Sequence, residues 1–249
     1  MGEPTNTDLP TVVLVHGAFA DASSWNGVIE RLHARGVPVM APANPLRGIT
    51  ADAAYLGAVL AQIEGPVLAV GHSYGGAVIT NAATDAENVV GLVYVAAFAP
   101  DEGETLGAAE ASSKDSVLNS ALVPWTYPSA DGGSATEFYI APAKTRDAFA
   151  GDLSDEQATL IAATQRPVAD AAFGEPSGPP AWKHLPSWAV VATGDKAAGT
   201  DVVRSMAERA GAKITEVEGS HVIMVSQPDA VTNVILQAVT AVTTVPVGA

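Results

Sequence analysis

Residues 67–79 read Val67-Leu68-Ala69-Val70-Gly71-His72-Ser73-Tyr74-Gly75-Gly76-Ala77-Val78-Ile79. A short apolar run therefore ends in the pattern Gly-X-Ser-X-Gly, and an alanine-rich segment suited to a helix follows. At a strand-to-helix junction this pattern is typical of a nucleophile elbow, where glycines relieve the crowding of a sharp turn. The turn would present the Ser73 hydroxyl at the end of a sheet, beside a helix N-terminus that favours negative charge. The alternative is a glycine-rich turn with an incidental serine, so the interpretation depends on the rest of the chain.

The composition indicates one packed domain over residues 1–249. Apolar residues make up 48% of the chain, and 27 acidic and 12 basic residues give a formal net charge of −15. Nucleic acids and anionic membrane surfaces are themselves polyanions, so neither is expected as a partner. The absence of cysteine excludes disulfides, thiolate catalysis and cysteine-bound metals. We expect chemistry that needs no metal and no cofactor.

The termini and the hydropathy predict a cytoplasmic protein. Residues 1–8 are polar and acidic, without the basic and long apolar segments of a signal peptide. No apolar run reaches the length of a membrane span. The oligomeric state does not follow from the sequence.

Strands and helices are predicted to alternate along most of the chain. Apolar, β-branched runs predict core strands at 11–15, 37–41, 67–70, 89–95, 187–193 and 213–217, with helical spacing at 25–35, 51–63, 74–83, 200–210 and 228–241. This alternation predicts an α/β fold with a mainly parallel six-stranded sheet in the order 2-1-3-4-5-6.

A different pattern interrupts this alternation between about residues 101 and 185. Proline, glycine and serine are frequent there, helical signals are weak at 108–118 and 154–163, and no strand is clear. So long an interval inside an α/β pattern suggests a cap inserted into a core of residues 1–100 and 186–249.

Two later loops supply the partners that a nucleophilic serine needs. Asp195 follows the fifth core strand and His221 follows the sixth. A serine needs a base to become a nucleophile, and the base needs an acid to hold its tautomer. The order Ser, acid, His along the chain is that of an α/β hydrolase. Asp101, after the fourth strand, is the alternative acid.

The other histidines have simpler explanations than catalysis. His33 lies on a predicted helix among polar neighbours, and His184 lies in the cap before Leu185. His16 and His72 flank the loops of the site, where structural hydrogen bonds are the expected role. His221 is therefore the predicted base.

An oxyanion hole and an apolar pocket complete the predicted site. The N–H of Tyr74, directly after the serine, is one expected donor to a developing oxyanion. Gly17 allows the loop after the first strand to turn inward, so the N–H of Ala18 is the other, with Phe19 as the alternative. Substrate-binding residues are predicted to be Phe19, Trp125 and Phe138.

Five short stretches together resemble the α/β-hydrolase superfamily over about residues 11–240: 13–18, 71–76, 96–101, 193–196 and 219–221. The most similar branch holds salicylate-binding methyl esterases, hydroxynitrile lyases and related bacterial esterases. The resemblance implies Ser73 as nucleophile, Asp195 as acid and His221 as base, with Ala18 and Tyr74 as oxyanion donors.

Two differences between this sequence and the pattern of that branch bear on which of its activities to expect. The lyases carry threonine where this chain has Gly17, and lysine where it has Val222, so the esterase pattern fits better. Ala197-Ala198-Gly199 replaces a common Ile-Pro pair, which predicts a looser loop beside the acid. The expected function is hydrolysis of small, apolar or aromatic carboxylic esters. A lactonase, a C–C bond hydrolase and a small-molecule receptor with little turnover are the alternatives.

Overall fold

A six-stranded parallel sheet forms the centre of the computed structural model, which describes residues 9–129 and 132–243. The described strands are β1 (Thr11–Val15), β2 (Val39–Met40), β3 (Val67–His72), β4 (Val89–Val95), β5 (Leu122–Pro128), β6 (Ser134–Ile140), β7 (Val168–Ala169), β8 (Ser187–Ala192) and β9 (Lys213–Val217). The order of the main sheet is β2-β1-β3-β4-β8-β9. Because β8 and β9 are the fifth and sixth core strands, the predicted order is confirmed.

The α-helices follow the strands in the expected alternation. They are α1 (Asn26–His33), α2 (Ile49–Leu60), α3 (Tyr74–Ala82), α4 (Leu106–Ala111), α5 (Thr145–Phe149), α6 (Asp155–Thr164), α7 (Ala171–Gly174), α8 (Thr200–Arg209), α9 (Ile223–Ser226) and α10 (Pro228–Thr243). Within the described ranges, no helix is long and apolar enough to cross a membrane. The polar segment 1–8, on which the signal-peptide prediction depends, lies outside the described residues.

The core is built on strands that are apolar on both faces. Every residue of β3 and of β8 is buried, as parallel strands covered by helices require. Helix α2 packs against α3, and α1 packs against α10, burying apolar stripes that include Leu32 and Ile235. The carboxyl ends of the parallel strands consequently meet at one edge, where ligands bind in folds of this class.

The interval between β4 and β8 contains a sheet that the sequence pattern did not predict. Strands β5, β6 and β7 pair antiparallel in that order. Weak helical signals at 108–118 and 154–163 correspond to α4, which is shorter, and to α6, which begins with a Ser154–Gln157 capping box. The strands escaped prediction because β5 contains two prolines and β6 groups its large apolar residues together in Phe138-Tyr139-Ile140, so neither shows a clear apolar alternation.

The cap sheet contacts the core through the loop between β2 and α2. Arg47 forms an ion pair of 2.7 Å with Glu137 of β6, and its guanidinium lies 4.5 Å from the ring centre of Tyr127 of β5. The Ala169 N–H donates to the carbonyl of Leu46 at 2.9 Å. Backbone and side-chain contacts from all three strands therefore join this sheet to one core loop.

Candidate active site

The turn between β3 and α3 holds Ser73 in a strained backbone conformation. Its φ is 53° and its ψ is −124°, a region that costs a non-glycine residue about 1–3 kcal/mol. A Cβ on Gly71 would lie 2.5 Å from the carbonyl oxygen of Gly75, and one on Gly75 would collide with the carbonyl of Val15. Backbone packs directly on backbone on both sides of the serine, which explains the two glycines of the pattern.

Asp195 and His221 form a buried pair at the ends of β8 and β9. His221 Nδ1 lies 2.8 Å from Asp195 Oδ2, and their side chains are 2% and 0% exposed. The second carboxylate oxygen, Oδ1, accepts the N–H groups of Ala197 at 2.9 Å and Ala198 at 3.0 Å. The Ala197-Ala198-Gly199 loop, predicted to be looser than the Ile-Pro form, therefore donates two main-chain hydrogen bonds to the carboxylate.

Asp101, the alternative acid, has another partner. It forms an ion pair of 2.6 Å with Lys183, and its side chain is 34% exposed. The hydrogen bond from Lys183 lowers the pKa of the Asp101 carboxyl. None of its described contacts reaches His221, so the carboxylate that the structure brings to His221 is that of Asp195.

His72 links the elbow to the His221 loop. Its Nε2 lies 3.0 Å from the carbonyl oxygen of His221, and the two rings are 4.7 Å apart at their centres. Nε2–H is the donor, because a carbonyl oxygen only accepts, and burial lowers the pKa of His72 well below its ordinary value, which favours the neutral ring. Among the described residues the Ser73 hydroxyl makes no hydrogen bond, and the hydrogen bond that joins the elbow to the His221 backbone is that of His72.

His16 also has a structural role. Its Nδ1 lies 2.9 Å from the Gly17 carbonyl, and its Nε2 accepts the Asn44 N–H at 3.0 Å. Burial lowers its pKa, and the Asn44 amide returns a hydrogen bond to the His16 carbonyl at 2.9 Å. These bonds fix the loop that follows β1.

The two backbone donors predicted for the oxyanion have no acceptor in residues 9–129 and 132–243. They are the N–H groups of Ala18 and of Tyr74, the first residue of α3. The N–H of Phe19, the alternative donor, is occupied, because it donates to the carbonyl of Arg166 at 3.1 Å. A Cβ on Gly17 would lie 2.6 Å from the Ser73 Cβ, so the loop passes close to the serine.

The side chain of Tyr74 is held away from these donors. Its hydroxyl donates to the Asp52 carboxylate at 2.8 Å, and Asp52 also accepts the Arg47 N–H at 3.0 Å. Burial raises the pKa of Asp52, against the effect of these hydrogen bonds. The first turn of α3 is thereby anchored to the start of α2.

The predicted substrate-binding aromatics occupy three different places. Phe19 is buried, with a φ of 60°, and its ring meets that of Phe149 at 6.0 Å. Phe138 is partly buried and packs at 6.3 Å against Phe173. Trp125 is 58% exposed and lies against Tyr139, and no described contact joins it to Ser73, Asp195 or His221.

Phe149 of α5 is the aromatic residue that the sequence interpretation missed. Its ring centre lies 5.1 Å from that of His221. Together with Phe19 it also borders a cavity of about 160 Å³, whose other walls include Ile161 and Val222. Phe149 lies outside both weak helical signals of the cap, at 108–118 and 154–163, so nothing in the sequence pattern distinguished it from other cap aromatics.

Comparison with known proteins identifies the family of this chain. A model of the alpha/beta hydrolase family matches residues 12–234. The chain belongs to the alpha/beta hydrolase family. The resemblance noted from the sequence is thereby confirmed at the level of the family.

Relatives within the alpha/beta hydrolase family are esterases and hydrolases by name. A carbendazim hydrolyzing esterase from Nocardioides sp. (strain SG-4G) is 34% identical over 107 residues, which span 38% of this chain and 44% of that esterase. Polyneuridine aldehyde esterase has a TM-score of 0.77 at 22% identity, covering 92% of this chain and 99% of its own. A methylesterase from Arabidopsis has a TM-score of 0.77 at 20% identity, and the match covers 94% of this chain and 100% of the methylesterase. A pyrethroid hydrolase from Sphingobium faniae JZ-2 has a TM-score of 0.74 at 21% identity, and the match covers 93% of this chain and 98% of the hydrolase.

Proposed function

We propose that this protein is a serine hydrolase that cleaves carboxylic esters through an acyl-enzyme. Ser73 would be the nucleophile, His221 the general base and Asp195 the acid that orients it. The observation that carries this proposal is the 2.8 Å contact between His221 Nδ1 and Asp195 Oδ2, on loops that end beside the elbow. An ionised carboxylate only accepts hydrogen bonds, so Nδ1 carries the proton and Nε2 keeps the lone pair that a base needs.

The reaction would proceed in two halves. Ser73 Oγ attacks the ester carbonyl carbon while its proton passes to His221 Nε2. The bond to the alcohol oxygen then breaks, the alcohol takes the proton from Nε2, and the acyl group stays on Ser73. A water that gives its proton to Nε2 attacks the acyl carbonyl, and collapse releases the carboxylic acid and restores the hydroxyl.

The Ser73 hydroxyl would approach His221 when a substrate binds. Catalytic hydrogen bonds are often long without substrate and tighten in the complex. The negative charge of the tetrahedral intermediate would be stabilised by the N–H groups of Ala18 and Tyr74, at the N-terminus of α3. Loss of one such donor typically costs about 3–4 kcal/mol of transition-state stabilisation.

Several features support an uncharged substrate with an apolar or aromatic group. The rings of Phe19 and Phe149 lie on the His221 side of the site, and the net charge of −15 disfavours polyanions. Val222 follows His221, so the position offers no cation for a departing cyanide. The names of the relatives, which include esterases of small organic molecules, agree with ester hydrolysis.

The nucleophile is tested by comparing Ser73→Ala with a matched control, Ser112→Ala, whose serine is exposed in the cap. We expect Ser73→Ala to lower turnover of 4-nitrophenyl acetate and butyrate by at least about 1,000-fold, because the residual rate comes from binding and oxyanion stabilisation alone. Covalent labelling by a fluorophosphonate should disappear as well, and Ser112→Ala should match the wild type. Retained turnover in Ser73→Ala would exclude the mechanism. Turnover restricted to lactones or β-diketones, or tight binding without turnover, would favour the lactonase, C–C hydrolase or receptor alternatives.

A further inference from the structure

A short segment of the cap lies directly over the loop that carries His221. We call residues 145–153, which comprise α5 and the turn after it, the clamp segment. Its turn is held by backbone hydrogen bonds from Ala150 to Thr145 at 3.1 Å and from Leu153 to Ala150 at 3.1 Å. Ala150 and Leu153 are buried, so the segment is packed against its surroundings and is not a free loop.

Two side chains of the clamp segment contact the His221 loop. The Phe149 ring lies against the imidazole, and three residues later the Asp152 carboxylate accepts a hydrogen bond from the Ser220 hydroxyl. Ser220 directly precedes His221 and is buried. A Cβ on Gly219 would lie 2.8 Å from Asp152 Oδ2, so the carboxylate also covers the backbone of this loop.

The ionisation of Asp152 is consistent with this contact. Burial acts to raise the pKa of its carboxyl, but hydrogen bonds, that of Ser220 foremost, outweigh burial and lower the pKa. The group is therefore an anion near neutral pH, and a hydrogen bond to a charged acceptor is stronger than one between neutral groups.

The remaining restraints on His221 come from the core. Asp195 holds Nδ1, and the His72 ring donates to the carbonyl oxygen at 3.0 Å. The Gly194 N–H donates to the Gly219 carbonyl at 2.9 Å, which joins the two loops. The backbone between Gly219 and His221 is thus fixed on the core side, and Ser220 is its point of attachment to the cap.

We infer that Asp152 is a positioning residue: by accepting the Ser220 hydrogen bond, it couples the docking of the cap to the orientation of His221. This inference rests on the proposed function, because it assigns His221 the role of base. The cap would then do more than shape a pocket, since a cap that is displaced would also release the base from its working position.

The test combines Asp152→Ala, Ser220→Ala and the double variant in steady-state ester hydrolysis. We expect each single variant to lower kcat by about tenfold, the effect of one charge-assisted hydrogen bond, with KM changed by less than about twofold. The double variant should be within about twofold of Asp152→Ala, because the Ser220 hydroxyl has already lost its acceptor there. Asp152→Asn keeps an acceptor oxygen and should retain at least about a third of kcat.

Controls separate positioning from general stability. Asp155→Ala removes an exposed carboxylate at the start of α6, paired with Arg146, and should leave kcat unchanged. The rate of fluorophosphonate labelling of Ser73 should fall with kcat, since it depends on the base and not on ester binding. A kcat within about twofold of the wild type for Asp152→Ala, or additive losses in the double variant, would overturn the inference. If Ser73→Ala stays active, the proposed function fails. If Ser73→Ala is inactive while Asp152→Ala matches the wild type, only the positioning role fails.

Discussion

The strain at the elbow predicts that replacing Ser73 with glycine stabilises the protein relative to alanine. The φ of 53° is favourable for glycine and costs a residue with a Cβ about 1–3 kcal/mol. The greater freedom of glycine in the unfolded chain offsets about 0.4–1 kcal/mol of that gain. The difference leaves Ser73→Gly about 1 kcal/mol more stable than Ser73→Ala. Both variants lack the hydroxyl, so neither should hydrolyse esters.

Equilibrium unfolding in urea measures this difference, and the melting temperatures should differ by about 2–4 °C for a domain of this size. Ser112, at the end of α4 with a φ of −82°, provides the matched control. There the backbone is not strained, so glycine should be less stable than alanine and the sign should reverse. Equal stability of the two Ser73 variants, or a more stable Ser73→Ala, would refute the claim that the serine is held under strain.

Three further predictions concern the acid, a buried histidine and the anchor of α3. Asp195→Asn should lower kcat by about 10,000-fold, because the amide reverses the tautomer of the base, as it does in a serine protease. Asp101→Asn should keep kcat within about twofold of the wild type. A loss of kcat in Asp101→Asn alone would reassign the acid. The pKa of His72 is lowered in the folded state, so below about pH 6.5 the unfolded chain binds more protons than the folded protein does. The free energy of unfolding should therefore fall with acidification, by up to about 1.4 kcal/mol per pH unit. Urea titrations from pH 7 to 5 should show a shallower fall for His72→Gln, and an unchanged slope would mean that His72 is not buried in its neutral form. Tyr74→Phe should lower the free energy of unfolding by about 1–3 kcal/mol, because Asp52 loses a buried hydrogen bond. Full stability in the urea transition would argue against that bond.

The elements that the sequence predicted well are those governed by burial and backbone crowding. Strands such as β3 and β8 are apolar on both faces, and the glycines around Ser73 stand where a Cβ would meet backbone. Both signals are local, so the sheet order and the elbow could be derived from them. The pairing of His221 with Asp195 was expected from strand order, but the sequence could not show that Asp101 forms an ion pair with Lys183 instead.

The cap was predicted poorly because its structure depends on contacts distant in sequence. Strand β6 is stabilised by pairing with β5 and by the ion pair of Glu137 with Arg47, about ninety residues earlier, rather than by an apolar alternation of its own. The position of Phe149 against His221 likewise depends on how α5 docks. Aromatic content could suggest that the cap meets a pocket, but it could not distinguish Phe149 from the exposed Trp125.

The groups that hold Asp195 bear on how recognisable such sites are in distant relatives. Its Oδ1 is bound by the main-chain amides of Ala197 and Ala198, which every residue except proline possesses. A proline at either position, as in the Ile-Pro pair of similar chains, would remove one of these donors, so the Ala-Ala sequence is what allows both bonds to Oδ1. Chains about 20% identical can share nearly the whole fold, as this chain and the Arabidopsis methylesterase do, so the end of β8 locates this carboxylate more directly than the residues around it.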